Sequence, residues 1–161
     1  MSDRQSNPRR TRTPCVGMCS TTYGDLVCRG CRRFSHEIVN WNAYGDEEKL
    51  AVWARLNAFK EQVVLGRIDV FDPHLLDTRL QAHRIPVNPD WGEGARVYEL
   101  LRRGARMMRR LDAYGLRAHA PFERLDPVAL RDEIDRDLLT LAEAHYERYV
   151  AVTFQFDETG S

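Results

Sequence analysis

All four cysteines of the chain lie in one short segment, as Cys15, Cys19, Cys28 and Cys31. Their Cys-x3-Cys-x8-Cys-x2-Cys spacing forms two close pairs, and each pair can bind along one edge of a tetrahedral metal site. Gly17 and Gly30 lie inside the pairs, where the backbone must fold closely around the sulfur atoms and a Cβ would clash. The spacing therefore predicts that the four cysteines are ligands of one metal centre.

Two other states of these cysteines are a pair of disulfide bonds and a set of unrelated free thiols. Residues 1–14 are polar and basic, so we expect no secretory signal, and no apolar run approaches the roughly 20 residues that span a bilayer. We therefore expect a cytoplasmic protein, in which thiols stay reduced and disulfides are rare. Because unrelated thiols seldom cluster in this way, a metal centre is the favoured interpretation.

The spacing indicates a metal more clearly than it indicates which metal. Pairs separated by two to four residues are typical of structural zinc, although the eight residues between the pairs are fewer than in most zinc fingers. Neither the bacterial nor the plant-type ferredoxin spacing matches, so the residues alone modestly favour zinc. Arg29, Arg32 and Arg33 could offset the charge of either metal centre, but solvated surface arginines are an equally good interpretation.

The rest of the chain shows no catalytic arrangement. The histidines are scattered singly, as His36, His74, His83, His119 and His145. We expect His36 at the surface rather than as a fifth ligand, and His145 as a hydrogen-bonded core histidine on an apolar seam. Glu37 is interpreted as an acid at the start of a helix. Since no Ser-His-Asp order, glycine-rich phosphate loop or paired-carboxylate motif is present, we do not expect an enzyme.

A second basic cluster follows a predicted helix in the C-terminal half: Arg102, Arg103, Arg106, Arg109 and Arg110. Such a stripe can neutralise the phosphates of a nucleic acid. The next predicted helix carries a nearly matching set of acids: Asp132, Glu133, Asp135 and Asp137. Because of this balance, and because no aromatic residues alternate with the arginines, we expect intramolecular pairing or solvation and no binding to nucleic acid. The expected partner is an unknown protein, and no membrane contact is expected.

Start and stop signals predict several helices. A short helix should run from Ser35 to near Gly45, and a longer one from Asp46 to Gly66. A brief helix is predicted over residues 75–82. Two longer ones follow, from about Glu93 to Tyr114 and from the start signal Asp126-Pro127 onwards.

The apolar faces of the last two helices predict how they pack. The first face carries Val97, Leu101, Ala105, Met108 and Leu111. The second carries Leu130, Ile134, Leu138, Leu141, His145 and Tyr149. A connection of about a dozen residues suits an antiparallel helical hairpin. Alternating apolar residues at 150, 152, 154 and 156 then predict a short strand.

The chain has 161 residues, of which 43% are apolar and 30% charged, with zero net charge, which excludes a membrane or disordered protein. We expect a mainly α fold: a small four-cysteine metal-binding knuckle followed by two helices, then a C-terminal helical hairpin. The predicted boundaries are a flexible basic arm at 1–14, a metal-binding domain at 15–65, a linker at 66–93 and the hairpin at 94–156. A metal would stabilise a domain as small as 15–65, which buries little apolar surface.

The stretch TPCVGMCSTTYGDLVCRGCRRFSHEIVNW resembles the bacterial family DUF1289, a domain of unknown function. The matching elements are Pro14-Cys15, Gly17, Cys19, Cys28, Gly30-Cys31, Arg33, Glu37-Ile38, Trp41 and Asp46-Glu47-Glu48. Phe34-Ser35 replaces the Arg-Thr ending that is more usual after the last cysteine. The resemblance covers residues 14–60, and residues 66–161 contribute nothing to it.

Members of DUF1289 are commonly labelled iron–sulfur proteins, so the resemblance implies that the four cysteines hold a cluster. It implies no established activity. The resemblance and the spacing together favour an iron–sulfur cluster and zinc about equally. Each alternative implies a different function. The first is a small iron–sulfur protein with an electron-transfer or accessory role. The second is a zinc-stabilised module that binds protein or, less readily, nucleic acid.

Overall fold

The computed structural model describes residues 12–154, and it is mainly α, as predicted. The helices are α1 Ser35–Asn40, α2 Asp46–Leu65, α3 Pro73–Ala82, α4 Glu93–Gly104 and α5 Pro127–His145. The strands are β1 Ile68–Val70 and β2 Leu116–Ala118. Short 3-10 helices occupy Ser20–Tyr23, Trp41–Ala43, Ala105–Met107, Asp112–Tyr114 and Ala120–Phe122. No helix within the described range is long and apolar enough to cross a membrane.

The chain forms two compact units that differ from the predicted boundaries. One unit comprises Met1–Leu56 and Leu139–Ser161, and the other comprises Asn57–Leu138. We call the described parts of the first, residues 12–56 and 139–154, the cysteine unit, and residues 57–138 the central unit. The unit boundaries fall inside α2 and α5. Residues 1–11 of the predicted basic arm lie outside the described part of the chain.

The central unit is built around an apolar core and one small antiparallel sheet. In the sheet, Ile68 pairs with Ala118 and Val70 with Leu116. The fully buried side chains of this unit come from its strands and four helices: Val64, Ile68, Leu76, Leu80, Val97, Leu100, Leu101, Leu116, Leu130 and Ile134. Val97 and Leu101 of the first predicted apolar face, and Leu130 and Ile134 of the second, therefore point into this core.

Residues 66–93, predicted as a linker, contribute β1 and α3 to the central unit. Leu76 and Leu80 of α3 are buried, and the Asp72 carboxylate caps the helix by accepting a hydrogen bond from the Leu75 amide at 3.0 Å. The proline and glycine residues of this segment mark the ends of short elements. They do not mark a domain boundary.

The helix predicted to run to Tyr114 ends at Gly104. A 3-10 turn, Ala105–Met107, follows, and the chain then becomes extended at Met108. Ala105 and Met108 are nevertheless buried, so the apolar pattern continues although the α-helix does not. The connection to α5 is consequently longer than the predicted dozen residues and contains β2. Glycine lowers helix stability, which favours an early end at this position.

The predicted C-terminal strand is wrong within the described residues. A π-helix, Tyr146–Ala151, continues α5, and residues 152–154 remain helical. Residue 156 of the predicted strand lies outside the described part of the chain. The seam predicted for α5 is buried as far as Leu138, whereas Leu141 and His145 are half-buried and Tyr149, within the π-helix, is 57% exposed.

Two arginines of the stripe form ion pairs with an acid on their own helix. Arg102 and Arg103 both bond the buried carboxylate of Glu99 on their own helix, at 2.9 Å and 3.2 Å. Burial raises the pKa of Glu99, but its bonds to Arg102 and Arg103 and the charge of Lys60 outweigh that effect and lower it. Of the acids on α5, Asp137 pairs with Arg67. Burial lowers the pKa of Arg102, but its bond to Glu99 and, more weakly, the charge of Asp135 raise it, so one of the predicted acids does act on the stripe.

His119 gives the central unit a pH-dependent link between its two strands. Its Nδ1 lies 3.0 Å from the Gly66 carbonyl oxygen and its Nε2 lies 2.8 Å from the Asp69 carboxylate. Both partners only accept hydrogen bonds, so the doubly protonated imidazolium satisfies both. The bond to Asp69 is the main cause that raises the pKa of His119 above its ordinary value of 6.5.

A raised folded-state pKa means that this stabilisation is complete below the unfolded pKa and is lost as the pH rises through the folded one. We expect His119→Gln to cost more unfolding free energy at about pH 5.5 than at about pH 8.5, as measured by urea denaturation. His74→Gln, at an exposed position on α3, is the matched control. An equal cost of His119→Gln at both pH values contradicts the assignment.

Candidate metal centre

A tight hairpin, residues 26–35, carries the second cysteine pair, and we call it the cysteine hairpin. Val27 and Phe34 form an antiparallel bridge at its base. Within it the Cys28 amide donates to the Arg33 carbonyl at 2.9 Å, and the Arg32 amide donates to the Cys28 carbonyl at 2.8 Å. Arg32 has a φ of +64°, a left-handed conformation that closes the turn. Cys28 and Cys31 therefore lie at the two ends of one turn.

Cys28 lies in a cradle of backbone amides. The thiol is buried, which alone would raise its pKa, but hydrogen bonds from the backbone of Cys31, Ser20 and Gly30 and from the Cys31 side chain lower it to about 7. These donors stabilise the thiolate form, which is the form that binds a metal. The hairpin is thus arranged to hold a negatively charged sulfur.

Cys31 is also buried, and burial raises its pKa even though Arg33 opposes that effect. The Arg33 Nε donates to the Cys31 sulfur at 3.3 Å, and its guanidinium lies 4.9 Å from the Trp41 ring centroid. Arg32 donates to the Gly30 carbonyl at 2.8 Å. Arg32 and Arg33 are both buried, so the interpretation of these two as solvated surface arginines is wrong.

Cys15 and Cys19 of the first pair are more accessible. Cys15 is exposed and Cys19 half-buried, and all four cysteines are free thiols. The Gly17 amide donates to the Cys15 sulfur at 3.4 Å, and Gly17 has a φ of +94°, a conformation that favours glycine. The Cys19 sulfur lies 2.9 Å from the Thr21 hydroxyl.

Gly30 brings the loop of the first pair against the cysteine hairpin. A Cβ at this position would lie 2.6 Å from the Met18 carbonyl oxygen and 2.8 Å from a methyl group of Val16. The Cys28 sulfur lies 3.6 Å from the same Met18 oxygen. The predicted need for glycine inside the second pair therefore has a direct steric cause.

Of the four cysteines, the second pair, Cys28 and Cys31, is arranged as metal ligands would be. Cys28 and Cys31 lie side by side, and polar N–H groups surround their sulfurs, as in a thiolate ligand pair. Over residues 12–154, no group of three or more His, Cys, Asp and Glu side chains is placed to hold one ion. The structure thus brings the second pair together, while Cys15 and Cys19 do not complete the set.

Glu37 does more than start a helix, which is the role that sequence reasoning assigned to it. Its Oε1 accepts the Phe34 amide at 2.8 Å, and its carboxylate forms a bidentate ion pair with Arg55 of α2, at 2.7 Å and 2.5 Å. Both side chains are largely buried. The Arg55 guanidinium also lies 4.1 Å from the Phe34 ring centroid. This pair joins the end of the cysteine hairpin to α2.

His36 and His145 contact aromatic rings beside the cysteine hairpin. His36 is half-buried, and its ring lies 5.9 Å from Phe34. His145 is half-buried and stacks on Phe34 at 6.0 Å, and this burial lowers its pKa. Sequence reasoning did not identify Phe34 or Arg55 as part of the site. The departure of Phe34 from the usual family ending was a signal that could have identified it.

Taken together, these features define a mainly α protein in which a tight hairpin brings two buried cysteines, Cys28 and Cys31, close together. Residues 13–60 match the family model described as protein of unknown function (DUF1289), so the resemblance seen in the motifs is confirmed over this segment. No curated protein and no solved structure matches the chain.

The Glu37–Arg55 pair should be essential to the stability of the cysteine unit. Glu37→Gln keeps an oxygen that can accept the Phe34 amide but leaves the buried Arg55 guanidinium without a counter-charge. Removing one partner of a buried ion pair costs about 3 kcal/mol or more, so we expect a loss of that size in urea denaturation.

Glu47→Gln is the matched control for this measurement. Glu47 is an exposed acid in the first turn of α2, where its interaction with the helix dipole contributes at most about 1 kcal/mol. Equal losses in the two variants would show that the Glu37–Arg55 pair has no special structural role.

Proposed function

We propose that this chain is a small cytoplasmic metal-binding protein whose Cys15, Cys19, Cys28 and Cys31 hold an iron–sulfur cluster. In this proposal the protein has an electron-transfer or accessory role and acts with a protein partner. The observation that carries it is the cysteine hairpin, which holds the buried Cys28 and Cys31 in one tight turn with the Arg33 Nε donating to the Cys31 sulfur at 3.3 Å. Hydrogen-bond donors beside a cysteine sulfur favour the thiolate, which is the form of cysteine that binds a metal.

The surroundings of the cysteines support a redox role in two ways. Hydrogen bonds to the sulfur atoms and the exposure of the site are among the factors that set the potential of a cluster. Here the backbone cradle surrounds Cys28 and Arg33 donates to Cys31. Cys15 is exposed, so a bound group would lie near the surface, where a partner protein can exchange electrons with it.

The second candidate is a zinc-stabilised module that binds a protein or, less readily, nucleic acid. It is favoured by large apolar side chains that remain exposed around the cysteines: Val16, Met18, Tyr23 and Leu26. Tyr23, in the loop between the pairs, is 89% exposed. Exposed apolar residues concentrated in one short segment are typical of a surface that binds another protein. The spacing of the pairs suits zinc.

Both candidates predict that folding of the cysteine unit depends on metal. We expect Cys28→Ser to lower the metal content and the helical circular dichroism, since the substitution removes a ligand. The wild-type protein should also lose metal in acid, because thiolate ligands must take up protons as the metal leaves. Metal content and circular dichroism are measured together on the same samples.

Tyr23→Phe is the control for Cys28→Ser, because it alters the same segment at an exposed position without removing a sulfur. Its metal content should equal that of the wild type. Unchanged metal content and circular dichroism in Cys28→Ser would exclude the four-cysteine site.

The two candidates differ in colour and redox chemistry. Because an exposed cluster is vulnerable to oxygen, the protein must be purified anaerobically before iron, sulfide, zinc and the visible spectrum are measured. Iron and sulfide in matched amounts, with a broad band that dithionite bleaches, are expected for the iron–sulfur protein. One zinc per chain, without sulfide or colour, would exclude electron transfer and support the binding module, since zinc has no redox chemistry.

A further inference from the structure

The end of α5 and the π-helix that follows lie on the cysteine hairpin through aromatic rings, and we call residues 145–154 the C-terminal segment. His145 stacks on the Phe34 ring with centroids 6.0 Å apart, and Tyr146 meets the same ring edge-on at 5.2 Å. Further along, Phe154 meets the His36 ring edge-on at 5.8 Å. Phe34 is only 2% exposed, so the C-terminal segment forms part of its cover.

The position of Phe34 depends on the hairpin that carries Cys28 and Cys31. Phe34 bridges to Val27, and the next amide, that of Ser35, donates to the Leu26 carbonyl at 2.9 Å. Phe34 also follows closely after Cys31 in the sequence. The hairpin turn contains Arg32 with a positive φ, a conformation that persists only when its surroundings enforce it. Whatever stabilises the cysteine pair therefore also holds the Phe34 ring in place.

The C-terminal segment itself is held less firmly than the part of α5 before it. Tyr149 and Phe154 are about half exposed, whereas Leu130 and Ile134, earlier in α5, are fully buried in the central unit. Segments with few buried apolar contacts open before the rest of a fold does. The contacts of this segment with Phe34 and His36 are therefore contacts that a change in the hairpin can break.

We propose that metal binding by the cysteines and docking of the C-terminal segment are coupled through Phe34. The metal-loaded chain holds the segment against the hairpin, and the metal-free chain releases it and uncovers the Phe34 ring. Metal occupancy is in this way converted into exposure of an apolar surface. The inference rests on the metal centre proposed above, but it holds for zinc and for a cluster alike, because it depends only on ordering of the hairpin.

Hydrogen–deuterium exchange of the full chain tests this coupling directly. The protein is stripped with a chelator under reducing conditions and then reloaded with Zn²⁺, and bound zinc is measured on each sample. We expect amide exchange in residues 146–154 to slow about tenfold on zinc binding, within the usual range of coupling between sites. Zinc binding without any change in that exchange overturns the coupling but leaves the metal centre intact. Failure to bind zinc or to accept a reconstituted cluster overturns the metal centre itself.

A substitution in the cysteine hairpin distinguishes coupling through Phe34 from a general stabilisation of the fold by zinc. Phe34→Leu keeps an apolar side chain but removes the ring that His145 and Tyr146 contact. We expect it to bind zinc while exchange in residues 146–154 no longer responds to zinc. Phe71→Leu, at a half-exposed position in the central unit, is the control and should respond as the wild type does. A full zinc response in folded Phe34→Leu contradicts the role of this ring.

Coupling is reciprocal, so the opposite side of the contact provides a second test that does not alter the hairpin. If zinc strengthens docking about tenfold, then Tyr146→Leu combined with Phe154→Leu should weaken zinc binding by a similar factor in competition with a chelator. These positions lie far from the cysteines in the sequence, and leucine is a good helix former. An unchanged zinc affinity in this variant would falsify the coupling even where Phe34→Leu fails to fold.

Discussion

The ion pair between Glu37 and Arg55 is the interaction on which the arrangement of the cysteine unit depends. One carboxylate receives three N–H groups, one from the Phe34 amide and two from the Arg55 guanidinium. A buried carboxylate or guanidinium is costly without such partners, so neither residue is tolerated alone. Because the pair joins the last residues of the cysteine hairpin to α2, it holds the hairpin in place through a contact that does not involve the sulfur atoms. The Arg55 guanidinium also packs on the Phe34 ring, which links charge pairing and apolar burial at one point.

The cysteines themselves are arranged by backbone geometry. Amides of the loop and hairpin surround the Cys28 sulfur, and Arg33 reaches the Cys31 sulfur while it packs on Trp41. The net pKa shifts of the two thiols are opposite, since hydrogen bonds outweigh burial at Cys28 and do not at Cys31. Backbone donors are already oriented in the folded hairpin, so a negative sulfur needs no rearrangement there. Gly30 lets the Met18 carbonyl approach the hairpin where a Cβ would clash, and this carbonyl accepts a hydrogen bond from the Cys28 thiol at 3.6 Å.

Elements that depend on residues close together in the sequence were predicted correctly. Examples are the Asp126-Pro127 helix start and the helices α2 and α3. The end of α4 was not, because Ala105 and Met108 stay buried after the helix has become a 3-10 turn and then an extended chain. The alternating apolar residues after position 150 predicted a strand, but they follow on from a π-helix. The wider turn of a π-helix matches neither the two-residue period of a strand nor the 3.6-residue period of an α-helix. The burial of Arg32 and Arg33 was not predicted, although their contacts with Gly30, Cys31 and Trp41 are all with residues close in the sequence.

The cysteine unit is also discontinuous in sequence, and this has a physical reason. The family match ends at residue 60, yet the compact unit combines residues before 57 with residues after 138. A segment as short as the matched one buries too little apolar surface to be stable alone, and its own core is Trp41, Val52 and Leu56, flanked by Tyr44 and Trp53. A bound metal and a helix packed from elsewhere in the chain could each supply the stability that this small buried surface lacks. Both would act on Phe34, which follows the last cysteine and contacts the C-terminal rings. If the cysteines hold a metal as proposed, each contribution would stabilise the same side chain, and neither would be independent of the other.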